Sequence, residues 1–334
     1  MEENTMEYTK LGNSELNVSR ICLGCMGFGN AAEGGHTWAV DEKSSNAIIK
    51  RALELGVNFF DTAASYQNGT SEQHTGKALR GLARRDEIVV ATKFFPRSEE
   101  EIKNGISGKQ HINQLLDRSL KNLGMNYIDL YICHMWDYHT PIEEIMETLN
   151  EAVKSGKVRA IGMSNCYAWQ LAKANFIAEK NGWRKFISIQ GHYNLMFREE
   201  EREMKPFCED SGIAMTPYSP LASGRLVRDA DFSSKRILED NVQRSKYDNT
   251  MMQDSIIIER VRELAEKKNL TRTQIAIGWL LTKVTSPIVG ATKISHIEEA
   301  VKAIGVSFTE QEIAYLEECY VPHKLVGVME FNHA

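Results

Sequence analysis

Short runs rich in β-branched and apolar residues alternate along the chain with stretches whose apolar positions recur every three to four residues. The first pattern predicts strands and the second amphipathic helices. The strand-like runs cover residues 20–23, 58–61, 88–93, 128–134, 160–164, 188–190, 213–218 and 287–290. Helical spacing follows them, as in 44–55, 71–82, 112–123 and 142–154. Start signals agree: Ser71-Glu72 opens one helix, and Thr140-Pro141-Ile142-Glu143-Glu144 puts proline and acids in the first turn of another. Gly56, Gly124, Gly156 and Gly212 each trail a helical run, the place of a left-handed closing residue.

Strands alternating with helices imply a parallel sheet, and eight such units favour a closed (β/α)8 (TIM) barrel over an open sheet. Ahead of the first unit, 6–12 and 16–19 alternate around Asn13-Ser14 and predict a β-hairpin that plugs the barrel bottom. Two extra helices, 255–268 and 273–282, precede the eighth strand, and a last helix over 309–320 leads into a tail. The charged, weakly periodic stretch 222–250 is expected to be a lid or binding loop. No low-complexity linker interrupts the pattern, so residues 1–334 are expected to form a single domain.

Composition narrows the function classes. Hydrophobic residues make up 42% and charged residues 25% of 334, an ordinary globular mix. The net charge of −5 and the lack of a basic stripe argue against nucleic acid. The longest apolar runs are too short for a membrane span, and the polar start predicts no signal peptide. Six cysteines without framework spacing suggest free thiols in a reducing compartment, the cytoplasm. Cys22 and Cys25 form a CxxC inside the apolar run 21–26; a redox pair and a buried structural pair are the alternatives.

In such barrels chemistry gathers at the carboxyl ends of strands. Those ends read Asp61 after Val57-Asn58-Phe59-Phe60, Lys93 after Val89-Val90-Ala91-Thr92 and His134 after Leu130-Tyr131-Ile132-Cys133, with Tyr66 five residues past Asp61. A charge buried without a partner is costly, so Asp61 and Lys93 are expected to pair. A phenol with an ordinary pKa of about 10 is a poor proton donor at neutral pH. A nearby ammonium stabilises its phenolate and turns Tyr66 into a usable general acid. Asp61 would hold Lys93 charged, and His134 would donate a hydrogen bond to the substrate oxygen. Singly, a structural ion pair and a scaffold histidine serve as well; four reactive types at matching positions favour chemistry. A metal hydrolase on His134 and Asp61 is a further alternative, opposed by the charge of Lys93.

The motifs Phe60-Asp61-Thr62-Ala63-Ala64-Ser65-Tyr66, Ala91-Thr92-Lys93, Gly156-Lys157-Val158-Arg159-Ala160-Ile161-Gly162-Met163-Ser164-Asn165, Pro217-Tyr218-Ser219-Pro220-Leu221 and Pro287-Ile288-Val289-Gly290-Ala291-Thr292-Lys293 together resemble the aldo-keto reductase family, from about Tyr8 to about Tyr320. His192-Tyr193-Asn194-Leu195 and Glu199-Glu200-Glu201-Arg202-Glu203 are similar to its broad-specificity bacterial branch, in the subgroup labelled 1-deoxyxylulose-5-phosphate synthase-like. The resemblance implies reduction of aldehydes and ketones by the pro-R hydride of NADPH, with Asp61, Tyr66, Lys93 and His134 as the catalytic tetrad. A cofactor-sensing regulatory subunit on the same barrel is the alternative it leaves open. It further implies that Ser164, Asn165 and Gln190 hold the nicotinamide carboxamide, that Tyr218 stacks on the ring, and that Asp61 borders the cofactor. Ser219, Pro220, Leu221, Gly224 and Arg225 would meet the pyrophosphate, with Arg228 a weaker candidate. Cys25 and Met26 would border the ribose, a core role being the alternative. At the adenosine end Gly290, Thr292 and Lys293 would take a 2′-phosphate and Glu299 the adenine. His296 stands where relatives carry arginine and Ala300 where they carry asparagine, so NADH is a second possibility. Trp38 and Trp136, with His36 and Tyr66, would wall the pocket for a small carbonyl substrate. The oligomeric state does not follow from the chain.

Overall fold

The computed structural model describes residues 6–229 and 240–332. Strands β1 (Tyr8–Lys10) and β2 (Asn17–Ser19) pair antiparallel, forming the expected hairpin. Eight parallel strands follow: β3 (Cys22–Gly24), β4 (Phe59–Asp61), β5 (Val89–Phe94), β6 (Ile128–Cys133), β7 (Val158–Ser164), β8 (Phe186–Gln190), β9 (Ala214–Met215) and β10 (Ile288–Gly290). Each pairs with its sequence neighbour, and β10 pairs with β3. Hydrogen bonds from the Ile288 amide to the Pro217 carbonyl (2.9 Å) and from the Thr285 amide to the Met215 carbonyl (3.1 Å) join β10 to the β9 side and close the ring. This is the (β/α)8 barrel expected from the sequence.

Around it run α1 (Glu42–Glu54), α2 (Thr70–Leu82), α3 (Glu99–Lys103), α4 (Gly108–Leu123), α5 (Ile142–Lys154), α6 (Ala168–Lys180), α7 (Met204–Ser211), α8 (Asn241–Tyr247), α9 (Met251–Lys268), α10 (Arg272–Leu281), α11 (Ile294–Val301) and α12 (Glu310–Glu317). Capping boxes open α4 at Ser107 and Gln110 and α10 at Thr271 and Gln274, each satisfying two backbone donors that the first turn leaves free. Helices α9 and α10 are the two extra ones. Two differences from the sequence reading have local causes. Strand β9 stops at Met215 rather than residue 218, because Pro217 has no amide to donate to a ladder. Helix α2 starts at Thr70, and Ser71 is buried, its hydroxyl donating to the Cys25 carbonyl at 2.8 Å instead of capping. Of the expected loop 222–250, residues 230–239 lie outside the described part; the rest forms a tight 3-10 turn (Ala222–Val227), α8 and a second turn (Asp248–Thr250).

Cys22, Phe59, Val89, Ala91, Leu130, Ile132, Ala160 and Ala214 point inward and fill the barrel, and Leu11 and Val18 of the hairpin complete the cluster from below. The hairpin therefore plugs the bottom as expected. Gly12 makes this possible: its φ is +56°, and an added Cβ would overlap the Ile187 carbonyl oxygen on β8. Gly12→Ala is expected to destabilise the fold by about 1–3 kcal/mol, through a strained φ and a displaced hairpin, and denaturant unfolding would measure it. An unchanged midpoint would show that the hairpin moves freely.

Candidate active site

The alternation that turns Phe59, Ala91 and Ile132 into the barrel continues one step further to Asp61, Lys93 and His134, so all three emerge at the upper rim. Lys93 Nζ donates to Asp61 Oδ1 at 2.6 Å and to the Thr62 carbonyl at 2.7 Å, with no exposure to solvent. The other carboxylate oxygen of Asp61 accepts from Gln190 Nε2 at 3.0 Å, across the mouth. The loop after β4 is pinned to β5 by the Thr62 amide on the Ala91 carbonyl (2.9 Å) and the Ala64 amide on the Lys93 carbonyl (3.0 Å). Those bonds bring the Tyr66 ring centre to 4.9 Å from Lys93 Nζ and set it edge-on to His134, centroids 5.8 Å apart.

Electrostatics follow from the burial. Desolvation pulls the Lys93 ammonium down, but Asp61 and Tyr66 outweigh it and hold it above the usual lysine range. Desolvation pushes the Tyr66 phenol up; Lys93 draws it back by charge and hydrogen bond, and Asp61 adds to the rise. The net direction is upward, which corrects the expectation that the ammonium alone brings this phenol below its ordinary value. The ammonium instead limits what burial costs the phenolate. His134 lies well below its ordinary value, through burial first and Lys93 second, so its ring is neutral at physiological pH. Its Nδ1 is buried without a hydrogen-bond partner.

The residues assigned to the carboxamide form one network. Ser164 Oγ donates to the Gln190 carbonyl (2.7 Å), and Asn165 Nδ2 donates to Ser164 Oγ and to the His134 carbonyl (2.8 Å each). The Tyr218 hydroxyl donates to Asn165 Oδ1 at 2.9 Å. Behind Tyr218 the rings of His192 and Phe197 are stacked, nearly parallel, at 5.4 and 4.3 Å along the pile. His192 is locked by a 2.6 Å bond between its Nε2 and the Tyr247 hydroxyl of α8. Sequence reasoning quoted His192 only as part of a motif; its backing role was hidden because Tyr218 and Tyr247 come from distant segments and Phe197 reaches it only through a tight turn at Asn194.

Glu200 was missed in the same way. It lies against Gly191, where an added Cβ would fall 2.9 Å from its carboxylate, and burial, then Glu199, raises it to about 8. A carboxyl raised above its unfolded value of about 4.3 adds stability that is full below that value and lost as pH climbs toward 8. Glu200→Gln should therefore raise the melting temperature more at pH ~8.5 than at pH ~5. Equal shifts at both would remove this assignment.

Toward the diphosphate end, Ser219, Ala222, Ser223 and Gly224 all have positive φ, the concave backbone form that suits an anion. Pro220 is buried and Leu221 packs on the core. Arg225 is buried, ion-paired with Asp248 at 2.6 Å and set 5.0 Å over the Tyr247 ring, yet its Nη1 has no hydrogen-bond partner. That orphaned donor fits a phosphate oxygen. Cys25 is fully buried and aimed back at the Leu23 carbonyl, so of the expected ribose pair only Met26 is left near the surface. Burial pushes the Cys25 thiol up to about 12 and raises Cys22 as well, which makes the CxxC a structural pair. At the adenosine end Gly290 and Lys293 are exposed, Thr292 donates its amide to His296 Nδ1 (3.4 Å), and Lys293 and Arg228 both act electrostatically on His296. Glu299 is engaged by Lys302 (2.7 Å) and the Thr271 hydroxyl (2.9 Å), so an adenine amine would have to share it.

Aromatic rings border the mouth. Trp38 approaches Gly27 and packs on His36 at 4.9 Å. The Trp136 amide meets the Asn165 carbonyl at 3.4 Å. Phe95, which no motif or periodicity singles out, stacks on His134 at 4.1 Å and is 36% exposed. Gln67 was also missed. Buried and left-handed (φ +48°), it accepts from the His36 amide (2.9 Å) and donates to the Asn30 and His36 carbonyls, tying the Trp38 loop to the Tyr66 turn.

Comparison with known proteins agrees with this architecture. The model of the aldo/keto reductase family matches residues 20–321. The versiconal hemiacetal acetate reductase of Aspergillus parasiticus is 40% identical over 343 residues, covering 95% of this chain and 98% of its own. An aldo-keto reductase of Fusarium vanettenii is 37% identical, covering 96% and 93%. These relatives are fungal and lend no support to the bacterial subgroup suggested by the 192–203 stretch. With an ion pair, a tyrosine and a histidine converging on one rim and a family match running nearly from end to end, the chain belongs to the aldo/keto reductase family.

Proposed function

We propose that the protein reduces aldehydes or ketones to alcohols, with NADPH as hydride donor and Tyr66 as general acid. One observation carries the reading: the fully buried Lys93–Asp61 pair beside Tyr66, facing a neutral His134. The bound nicotinamide supplies the hydride, and the family resemblance implies the pro-R one. Asn165 and Ser164 offer polar atoms for its carboxamide, with Gln190 free to join once it releases Asp61, and Tyr218 gives a flat platform stiffened by His192. The substrate oxygen is met by His134 and Tyr66, and the phenol proton passes to it as charge develops. Lys93 then holds the phenolate until solvent returns the proton.

A metal centre on Asp61 and His134 is disfavoured because both carboxylate oxygens are committed, one to an ammonium. A regulatory subunit would keep the cofactor without turnover; nothing in an acid–ion pair arrangement serves that role. Residues 1–334 are proposed as one catalytic domain acting in the cytoplasm, and no described helix is long and apolar enough to cross a membrane. The test is oxidation of NADPH, and separately NADH, with an aromatic aldehyde, for which the ring-lined mouth is suited. Absence of turnover across a broad carbonyl panel, with tight cofactor retention, would overturn the proposal. The charges of Lys293 and Arg228 support NADPH over NADH, while His296, held below its ordinary value by burial and by those two cations, does not replace the arginine of relatives. Lys293→Ala is expected to raise KM for NADPH about tenfold, the loss of one charge-assisted bond, and to leave KM for NADH nearly unchanged.

A further inference from the structure

Phe95 touches His134 from a loop, and loops rarely hold an aromatic ring still without help. The loop between β5 and α3 is tied at Arg97 to the Ile106 and His139 carbonyls, and directly at Phe95 to a histidine beneath it. His111, on the first turn of α4 and buried, places Nε2 2.8 Å from the Phe95 carbonyl oxygen and Nδ1 2.8 Å from Glu101 Oε1. Both partners are acceptors. An imidazole satisfies two acceptors together only when both nitrogens carry hydrogen, that is, as the imidazolium. Glu101 is placed for this by its capping box on α3, where its other oxygen accepts from the Ser98 amide at 2.8 Å.

We propose that His111 and Glu101 form a proton-dependent latch that positions Phe95 against His134, so that the substrate wall loosens when His111 gives up its second hydrogen. Other charged and titratable groups around the ring are already committed. Asp137, which lines a small cavity together with His111, Phe94 and Cys133, accepts the His139 (2.7 Å) and Thr140 (3.1 Å) amides. Arg97 donates to the Ile106 (2.7 Å) and His139 (2.6 Å) carbonyls, and Glu144 accepts the Lys109 amide (2.8 Å). The Cys133 thiol on the cavity wall is pushed up by burial and Asp137 and stays protonated. Glu101 is thus the carboxylate that meets the ring. The arrangement is complete on the acid side. It fails as pH rises, because a neutral His111 must face one acceptor with a lone pair. His111 is a positioning residue; it touches no reacting atom.

The variant that separates this from mere structural support is Glu101→Gln. A glutamine amide can donate to Nδ1 of a neutral ring while Nε2–H still serves the Phe95 carbonyl, so the latch no longer needs the extra hydrogen. In protein labelled at histidine with 15N and 13C, the ring signals of His111 and His134 are followed from pH ~6 to ~9, a range in which His134 itself stays neutral. The expected result is that His134 shifts with the same midpoint as His111 in the natural chain, as Phe95 moves off its face, and that this shift is absent in Glu101→Gln. A His111 ring that is singly protonated at pH ~6, or a His134 signal indifferent to His111, overturns the latch. A second readout rests on the carbonyl-reductase reading. KM for an aromatic aldehyde should rise about fivefold across the same interval in the natural chain and stay flat in Glu101→Gln, with kcat changing alike in both. If no carbonyl is turned over at all, that reading fails while the ring signals still decide the latch.

Discussion

Tyr66→Phe is expected to lower kcat/KM for carbonyl reduction by about 100- to 10,000-fold, the range that a positioned proton donor contributes. The substitution deletes one oxygen and keeps the ring, so the edge-on contact with His134 and the packing over Lys93 persist. Cofactor affinity should change by no more than about twofold, since no assigned cofactor contact is lost. The loss should appear in kcat and kcat/KM together, the sign of an interaction made only in the transition state. Steady-state kinetics with an aromatic aldehyde, beside a fluorescence titration with NADPH, provide the check. A rate within tenfold of the natural enzyme would mean that some other group, His134 first among the candidates, delivers the proton.

The second large effect belongs to Lys93→Met, and it is expected in stability as well as rate. Asp61 is 3% exposed and would keep a single partner, Gln190, in place of an ammonium at 2.6 Å. Removing one member of a buried pair typically costs about 3–5 kcal/mol, because the survivor stays desolvated and unpaired. Asp61 would relieve part of that by taking up a proton, so the variant should gain stability on acidification relative to the natural chain. Activity should fall at least as far as in Tyr66→Phe, as burial and Asp61 would then act on the phenolate unopposed. Restoring both partners to neutral groups, as in Lys93→Met with Asp61→Asn, should recover stability without recovering turnover. If the single variant unfolds at the same denaturant concentration as the natural chain, the pair contributes less than its burial implies.

Much of this was readable from the chain because it depends on parity and strand order. Once eight strands were placed, the inward set ending in Asp61, Lys93 and His134 followed, and Tyr66 was within reach of the same rim. What stayed hidden depends on how loops turn back on themselves and meet residues far along the chain. The pile of Tyr218, His192 and Phe197, its tie to Tyr247, and the seat of Glu200 under Gly191 are set by how loops fold over the rim, which periodicity does not encode. Phe95 lies two residues past the predicted strand 88–93 and carries no periodic signal, and Gln67 reads as a loop polar group. Cys25 looked like a cofactor neighbour until its side chain proved to face inward. The sign of the Tyr66 shift was missed for a related reason: how deeply a side chain sits is a property of the folded rim, and burial outweighed the neighbour that the motif made visible.

The seam between β9 and β10 gives the cylinder one weak stave. Two short strands meet there through a few backbone bonds beside a proline, while β5, β6 and β7 share longer ladders on the far wall. Thermal fluctuation should therefore unzip the cylinder at Thr285 and Ile288 first, and their amides should exchange with deuterium ahead of those in β5 and β6. Lys93 and His134 stand diametrically across from that hinge line, so the barrel can breathe at one side while the proton-handling side keeps its shape.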